Sequence, residues 1–140
     1  MSFSAIVNTT SALMGEEVRN KPRVLIVDDE VDICYLLKGI LKFKNIEANY
    51  VTTLAEAEVH LQHNDPPLVF LDNHLSDGKG MDYVRRIKRE HPSTAIIMIT
   101  AHDTTLDRER AYKEGVDFFI GKPFTRDIIL KTIEKINFSK

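Results

Sequence analysis

The chain has a single cysteine, no tryptophan, no long apolar run and no excess of one charge. One thiol, Cys34, can form neither an internal disulfide nor a cysteine-based zinc site. It falls in an apolar helical stripe, where a buried core thiol is expected. The longest apolar runs, such as Val24–Val27 and Ala95–Ile99, are four to five residues, far short of the ~20 needed for a helix to cross a bilayer. The N-terminus lacks the basic start and continuous apolar core of a secretory signal. With 19 basic against 21 acidic residues the formal net charge is −2, which argues against a general nucleic-acid binder. The run Arg85-Arg86-Ile87-Lys88-Arg89 reads as a solvated helix face. These absences fit a protein of the reducing cytoplasm that meets neither a membrane nor nucleic acid directly.

What is present is an ordinary globular composition, 43 % apolar and 29 % charged over 140 residues. That length suits one domain that can bury roughly two-thirds of its unfolded surface. Residues 1–21 are rich in Ser, Thr and Asn and read as a flexible arm, with a helical turn around Ser11–Val18. From Pro22 a regular alternation begins. Apolar, β-branched segments start near residues 23, 46, 68, 94 and 116, with helix-length segments between and after them. That alternation indicates βαβ units and a parallel sheet. Segments 24–27, 68–71 and 95–99 are continuously apolar, as strands covered on both faces must be.

The helical periods agree. Ile33, Leu36, Leu37, Ile40 and Leu41 form one stripe at a 3.6-residue period, and Ile129, Ile133 and Ile136, joined by Leu130, form another. The segment 103–114 is poorer, with Leu106, Ala111 and Tyr112 as its expected anchors. Gly39, inside the first helix, costs about 1 kcal/mol relative to alanine, and close packing is the expected reason. The fold class is α/β, a doubly wound five-stranded parallel sheet.

In such sheets the functional crevice lies beyond the carboxyl ends of the strands. The first strand ends in Asp28-Asp29-Glu30, the third in Asp72-Asn73-His74, the fourth in Thr100-Ala101-His102 and the fifth in Gly121-Lys122-Pro123. Asp28, Asp29 and Asp72 would repel one another if all were ionised and unpaired. A hard divalent cation with oxygen ligands resolves that conflict, and Mg²⁺ typically takes one or two carboxylates while keeping waters for a phosphate-bearing ligand. Metal, the Lys122 ammonium and the Thr100 hydroxyl could together hold three phosphoryl oxygens. A carboxylate can serve as nucleophile and form an aspartyl phosphate. Asp72 leads for that role, because its strand should be central while Asp28 and Asp29 compete for metal. Taken singly, each residue has a plainer reading: Asp28 or Asp29 as helix N-caps, Asp72 as a turn residue, Thr100 as a cap, Lys122 as a solvated lysine, Phe119 as a core aromatic.

At these positions the sequence resembles the receiver domain of bacterial two-component response regulators. The resemblance runs from Arg23 to about Ile136. It rests on Val24-Leu25-Ile26-Val27-Asp28-Asp29-Glu30, on Leu71 to Asp82, on Ile99-Thr100-Ala101-His102 and on Gly121-Lys122-Pro123-Phe124, in order and at strand ends. It implies a flavodoxin-like (βα)5 fold with strand order 2-1-3-4-5. Residues 22–140 would be the receiver domain, with no output domain in the chain. Asp72 would accept a phosphoryl group from a histidine kinase or histidine phosphotransfer protein. Asp29 would ligate Mg²⁺, with Asp28 acting through water, Asp72 sharing the ion and His74 giving its backbone carbonyl. Thr100 and Lys122 would sense and neutralise the phosphoryl group, and Lys122-Pro123 would be a cis peptide. Phe119 would be the aromatic that turns inward with Thr100. His74 and His102 occupy the site-edge positions that modulate phosphate loss, although exposed histidines without a catalytic role are common.

The implied role is a phosphorylation-activated switch, catalysing only its own phosphorylation and dephosphorylation rather than acting as an enzyme on other substrates. Its signal would pass through the face made by the fourth helix, fifth strand and fifth helix, to a downstream effector, a missing output domain or a second copy in a homodimer. Two departures stand out. Ser76 replaces the usual proline four residues after the acceptor, which predicts a more flexible loop, and Phe119 lacks the hydroxyl of tyrosine-bearing members. Two other functions use the same residues less well. A Mg²⁺-dependent phosphohydrolase should have a lid and a second acid–base carboxylate, where this chain has His74. A phosphate-independent interaction module would have no use for the acidic pair, Asp72, Thr100 and Lys122 together.

Overall fold

The structure, a computed structural model, describes residues 23–136. The arm at 1–21, with its expected helical turn, lies outside the described residues. The elements are β1 (Arg23–Val27), α1 (Val31–Phe43), β2 (Glu47–Val51), α2 (Leu54–His63), β3 (Leu68–Leu71), α3 (Val84–Glu90), β4 (Ala95–Thr100), α4 (Thr105–Glu114), β5 (Phe118–Gly121) and α5 (Arg126–Glu134). The five strands pair in parallel in the order β2-β1-β3-β4-β5. This is the flavodoxin-like topology that the resemblance implies, with strand order 2-1-3-4-5. None of the described helices is long and apolar enough to cross a membrane.

Alternating side chains of the apolar strands feed two cores, one on each face. Ile26, Phe70, Ile97 and Ile99 pack with Cys34, Leu37, Leu41, Ile129 and Ile133 under α1 and α5. Leu25, Val27, Val69, Leu71 and Met98 pack with Leu54, Ala57, Val84, Ile87 and Ala111 under α2, α3 and α4. Cys34 is fully buried, as expected, and burial pushes its thiol up to about 11.

Three local expectations are corrected. In α1 the buried row is Cys34, Leu37, Ile40 and Leu41, whereas Leu36 is 50 % exposed. The sheet-facing side is centred on Leu37 and Leu41, and Leu36 sits ~100° around the helix from Leu37. Gly39 is exposed and not closely packed: a Cβ there would meet no atom within 4 Å. In α4 only Ala111 is buried, and Leu106 is 77 % exposed with Tyr112 also exposed, so neither anchors the helix in the core. That helix is set by its ends: Thr104 accepts the Asp107 N–H, and Gly115 closes the last turn at φ +119°.

After β3, Asp72-Asn73 lead into a short antiparallel pair, His74–Leu75 with Gly78–Lys79, and a 3₁₀ turn at Gly80–Tyr83. Ser76 sits at the tip of this pair. Asn73 Oδ1 accepts the Met81 N–H at 2.9 Å, and Gly80 has no room for a Cβ against the Asp72 carbonyl and Leu71. Asp77 reaches across to α2, where its carboxylate accepts the N–H groups of Leu54 and Ala55 at 2.9 and 3.0 Å. The loop that lacks proline is thus fastened by a carboxylate on two otherwise orphaned helix donors.

Candidate functional site

Strand register brings the predicted residues together. Val27 stands beside Leu71, so the residues that follow, Asp28 and Asp72, leave adjacent central strands side by side. The Asp72 N–H bonds to the Val27 carbonyl at 2.9 Å, and the Asp28 N–H to the Val51 carbonyl at 3.1 Å. Thr100 pairs with Gly121, and the Lys122 N–H donates to the Thr100 carbonyl at 2.9 Å. The Lys122–Pro123 peptide is cis, as the resemblance implied.

Lys122 ties the pocket. Its ammonium lies 2.9 Å from Asp28 Oδ2, 3.4 Å from Asp72 Oδ2 and 2.8 Å from Glu30 Oε1. Asp28 and Asp72 are buried; Asp29 and Glu30 are exposed at the rim. Burial lowers the tendency of Lys122 to carry charge, but hydrogen bonds to Glu30 and Asp28 and the field of Asp72 outweigh it, holding the ammonium above its ordinary value. Burial holds the Asp28 carboxyl above its ordinary value, reinforced by the charge of Asp72, although the Glu30 N–H and Lys122 pull the other way. The site therefore carries more negative charge than one lysine relieves.

The donor set fits a hard cation. Carboxylate oxygens of Asp28, Asp29, Glu30 and Asp72 all lie within 4.8 Å of one another, the sole such acidic group among the described residues. All-oxygen ligation by carboxylates suits Mg²⁺ rather than a softer metal. Glu30 was not assigned a role from the sequence; its place in the Asp-Asp-Glu run was the available signal.

The plainer readings fare differently. The N-cap of α1 is Glu30, with no side-chain cap bond, and Asp28 Oδ1 instead accepts the Glu30 N–H at 2.9 Å. Thr104, not Thr100, caps α4; Thr100 is buried, and its Oγ1 accepts the His102 N–H at 3.3 Å. Asp72 Oδ1 accepts the His74 N–H at 3.3 Å, leaving Oδ2 toward Lys122. The exposed rings of His74 and His102 stack at the rim, centroids 3.8 Å apart and 21° from parallel. Phe119 is 6 % exposed, its ring turned into the α4-side core.

Fold and pocket together define a flavodoxin-like domain with an acidic, lysine-bridged crevice at the carboxyl edge of its central strands. The profile of the response regulator receiver domain matches residues 24–134, and the chain belongs to that family, the signalling switches of two-component systems. It is 35 % identical over 114 residues to the nitrogen assimilation regulatory protein NtrX of Azorhizobium caulinodans, covering 80 % of this chain and 25 % of that protein. It is 31 % identical over 116 residues to the phosphate regulon transcriptional regulatory protein PhoB of Rhizobium meliloti, covering 81 % and 51 %. The chain thus spans a quarter to about half of the length of these relatives. Among solved structures, the beryllofluoride-activated NtrC4 receiver domain dimer superposes with a TM-score of 0.77 at 34 % identity, covering 81 % of this chain and 93 % of that one. The NtrX receiver domain of Brucella abortus gives 0.74 at 33 %, covering 80 % and 95 %.

Proposed function

We propose that Asp72 is the phosphoacceptor of this switch, taking a phosphoryl group from a histidine kinase or a histidine phosphotransfer protein. A carboxylate oxygen of Asp72 attacks phosphorus, the donor's phosphorus–nitrogen bond breaks, and its electron pair returns to the imidazole. The observation that carries the reading is the Lys122 ammonium 3.4 Å from Asp72 Oδ2, a fixed positive charge beside the group that acquires phosphate. Mg²⁺, held by Asp28, Asp29 and Asp72 with the His74 carbonyl, would neutralise phosphoryl oxygen charge when bound. Lys122 takes a further oxygen, and the Thr100 hydroxyl donates to another. The stacked His74 and His102 rings limit the approach of water from the rim and so lengthen the life of the acyl phosphate. Hydrolysis returns Asp72 to its carboxylate, so the chain's chemistry is confined to its own phosphorylation and dephosphorylation.

Phosphate biases Thr100 and Phe119 between two arrangements, and the face of α4, β5 and α5 presents the difference to an effector, an output domain or a second copy. The buried free thiol of Cys34 suits a cytoplasmic setting. The test is intact-mass measurement after incubation with Mg²⁺ and a small phosphodonor. One phosphoryl group is expected on the wild-type chain and none on Asp72→Ala; undiminished labelling of Asp72→Ala would overturn the assignment.

A further inference from the structure

Phe119 is pinned at both ends by α4 and its approach. Its backbone N–H, on the open edge of β5, donates to Tyr112 Oη at 3.1 Å. Its ring lies under Arg108, whose guanidinium carbon is 4.9 Å from the ring centroid. Arg108 is itself held: Nη2 donates to Asp103 Oδ2 at 3.0 Å, and Nε donates to Oδ1 of the same carboxylate. A two-pronged bond of this kind fixes the plane of a guanidinium far better than a single contact. Asp103 in turn fills the space above Gly121 where any other residue would place a Cβ. The glycine that ends β5 therefore makes room for the carboxylate that orients Arg108.

These contacts matter because α4 has so few others. It buries Ala111 alone, so its attachment to β5 runs largely through Tyr112, Arg108 and Asp103. A cation over an aromatic face is attractive only while the ring stays beneath it, and the contact is lost when the ring swings outward.

We propose that Asp103 and Arg108 form a clamp that holds Phe119 inward independently of phosphate, making Arg108 a positioning residue that sets the resting bias of the switch. The proposal rests on Phe119 being the switching aromatic, as inferred above. Because ring position and occupancy of Asp72 are linked, whatever releases the ring also weakens binding of a phosphoryl mimic, in proportion to the inward population lost and at most by the factor by which the ring equilibrium shifts. A cation–π contact at a partly exposed site corresponds to about a two- to five-fold change in that equilibrium.

The experiment uses the full chain with ring-¹³C phenylalanine, the Phe119 resonance being assigned by its loss in Phe119→Leu. Spectra and Mg²⁺-dependent beryllofluoride affinity are compared for wild type, Arg108→Met, Arg108→Lys and Asp103→Asn. The clamp predicts that Arg108→Met moves the Phe119 resonance toward a solvent-exposed position without any phosphate mimic and weakens beryllofluoride by up to about five-fold. Asp103→Asn should move both in the same direction, and Arg108→Lys, which keeps the charge, should restore part of each. A Phe119 resonance and an affinity unchanged in both Arg108→Met and Asp103→Asn would overturn the clamp. Absence of beryllofluoride binding to the wild type would instead overturn the phosphoacceptor reading, and the resonance shift would still decide the clamp.

Discussion

Helices α1 and α4 both leave the carboxyl edge of the sheet beside the acidic pocket, yet they are held very differently. Helix α1 buries Cys34, Leu37, Ile40 and Leu41 against the central strands, whereas α4 buries only Ala111 and leaves Leu106 in solvent. Each fully buried leucine or isoleucine stabilises by roughly 1.5–3 kcal/mol, so α1 has several such anchors and α4 has none. The residues that carry charge, Asp28 and Asp72, belong to the firmly packed part. Those that would report it, Thr100 and Phe119, border the loosely packed part. The proposed switch, which holds these charges fixed while Thr100 and Phe119 move, would benefit from that division, because low local stability is where conformational change is cheapest.

The contrast can be broken first by truncation. Leu37→Ala should lower unfolding free energy by about 2–5 kcal/mol, while Leu106→Ala should stay within about 0.5 kcal/mol, both read from urea denaturation. A comparable loss at Leu106 would mean that α4 is anchored after all. Next comes the pocket itself. Burial holds the Asp28 carboxyl above its ordinary value, so its favourable contribution is full below the unfolded carboxylate pKa and is lost as pH rises through the folded one. At neutral pH the ionised form is therefore a cost, and Asp28→Asn should raise stability without Mg²⁺, flatten the pH dependence in that window and shrink the Mg²⁺-induced rise in Tm. The elevated Lys122 ammonium acts in the opposite region: its contribution persists through neutral pH and disappears only on the alkaline side. Smallest is Gly39→Ala, which fills open space in α1 and should stabilise by up to about 1 kcal/mol in the same urea assay.

Much of this was legible in the residues. Continuous apolar runs predicted β1, β3 and β4 because a strand sandwiched between helix layers has no solvent face. The pocket followed, since parallel register brings the residues after each strand to one edge. The exposed sides of helices were harder to read. Leu36 and Leu37 are equally apolar, and which one meets the sheet depends on how α1 lies across the twisted strands. Gly39 looked like a packing residue because a helical glycine is costly, and only the fold shows open space above it. The Asp77 bonds to α2 and the Asp103–Arg108 clamp on Phe119 join segments that are 22–23 and 11–16 residues apart, respectively, in the chain. No periodicity or spacing encodes such pairs; they exist only once the sheet is assembled.

The division between a fixed pocket and a movable reporter is tested most directly by amide hydrogen exchange, with and without Mg²⁺ and beryllofluoride. Amides of α1, β1 and β3 should be strongly protected in both states. Those of α4 and of the 101–104 segment before it should exchange much faster at rest and change most when the phosphoryl mimic binds. Protection of α4 equal to that of α1, or a response to the mimic centred on α1, would contradict the division.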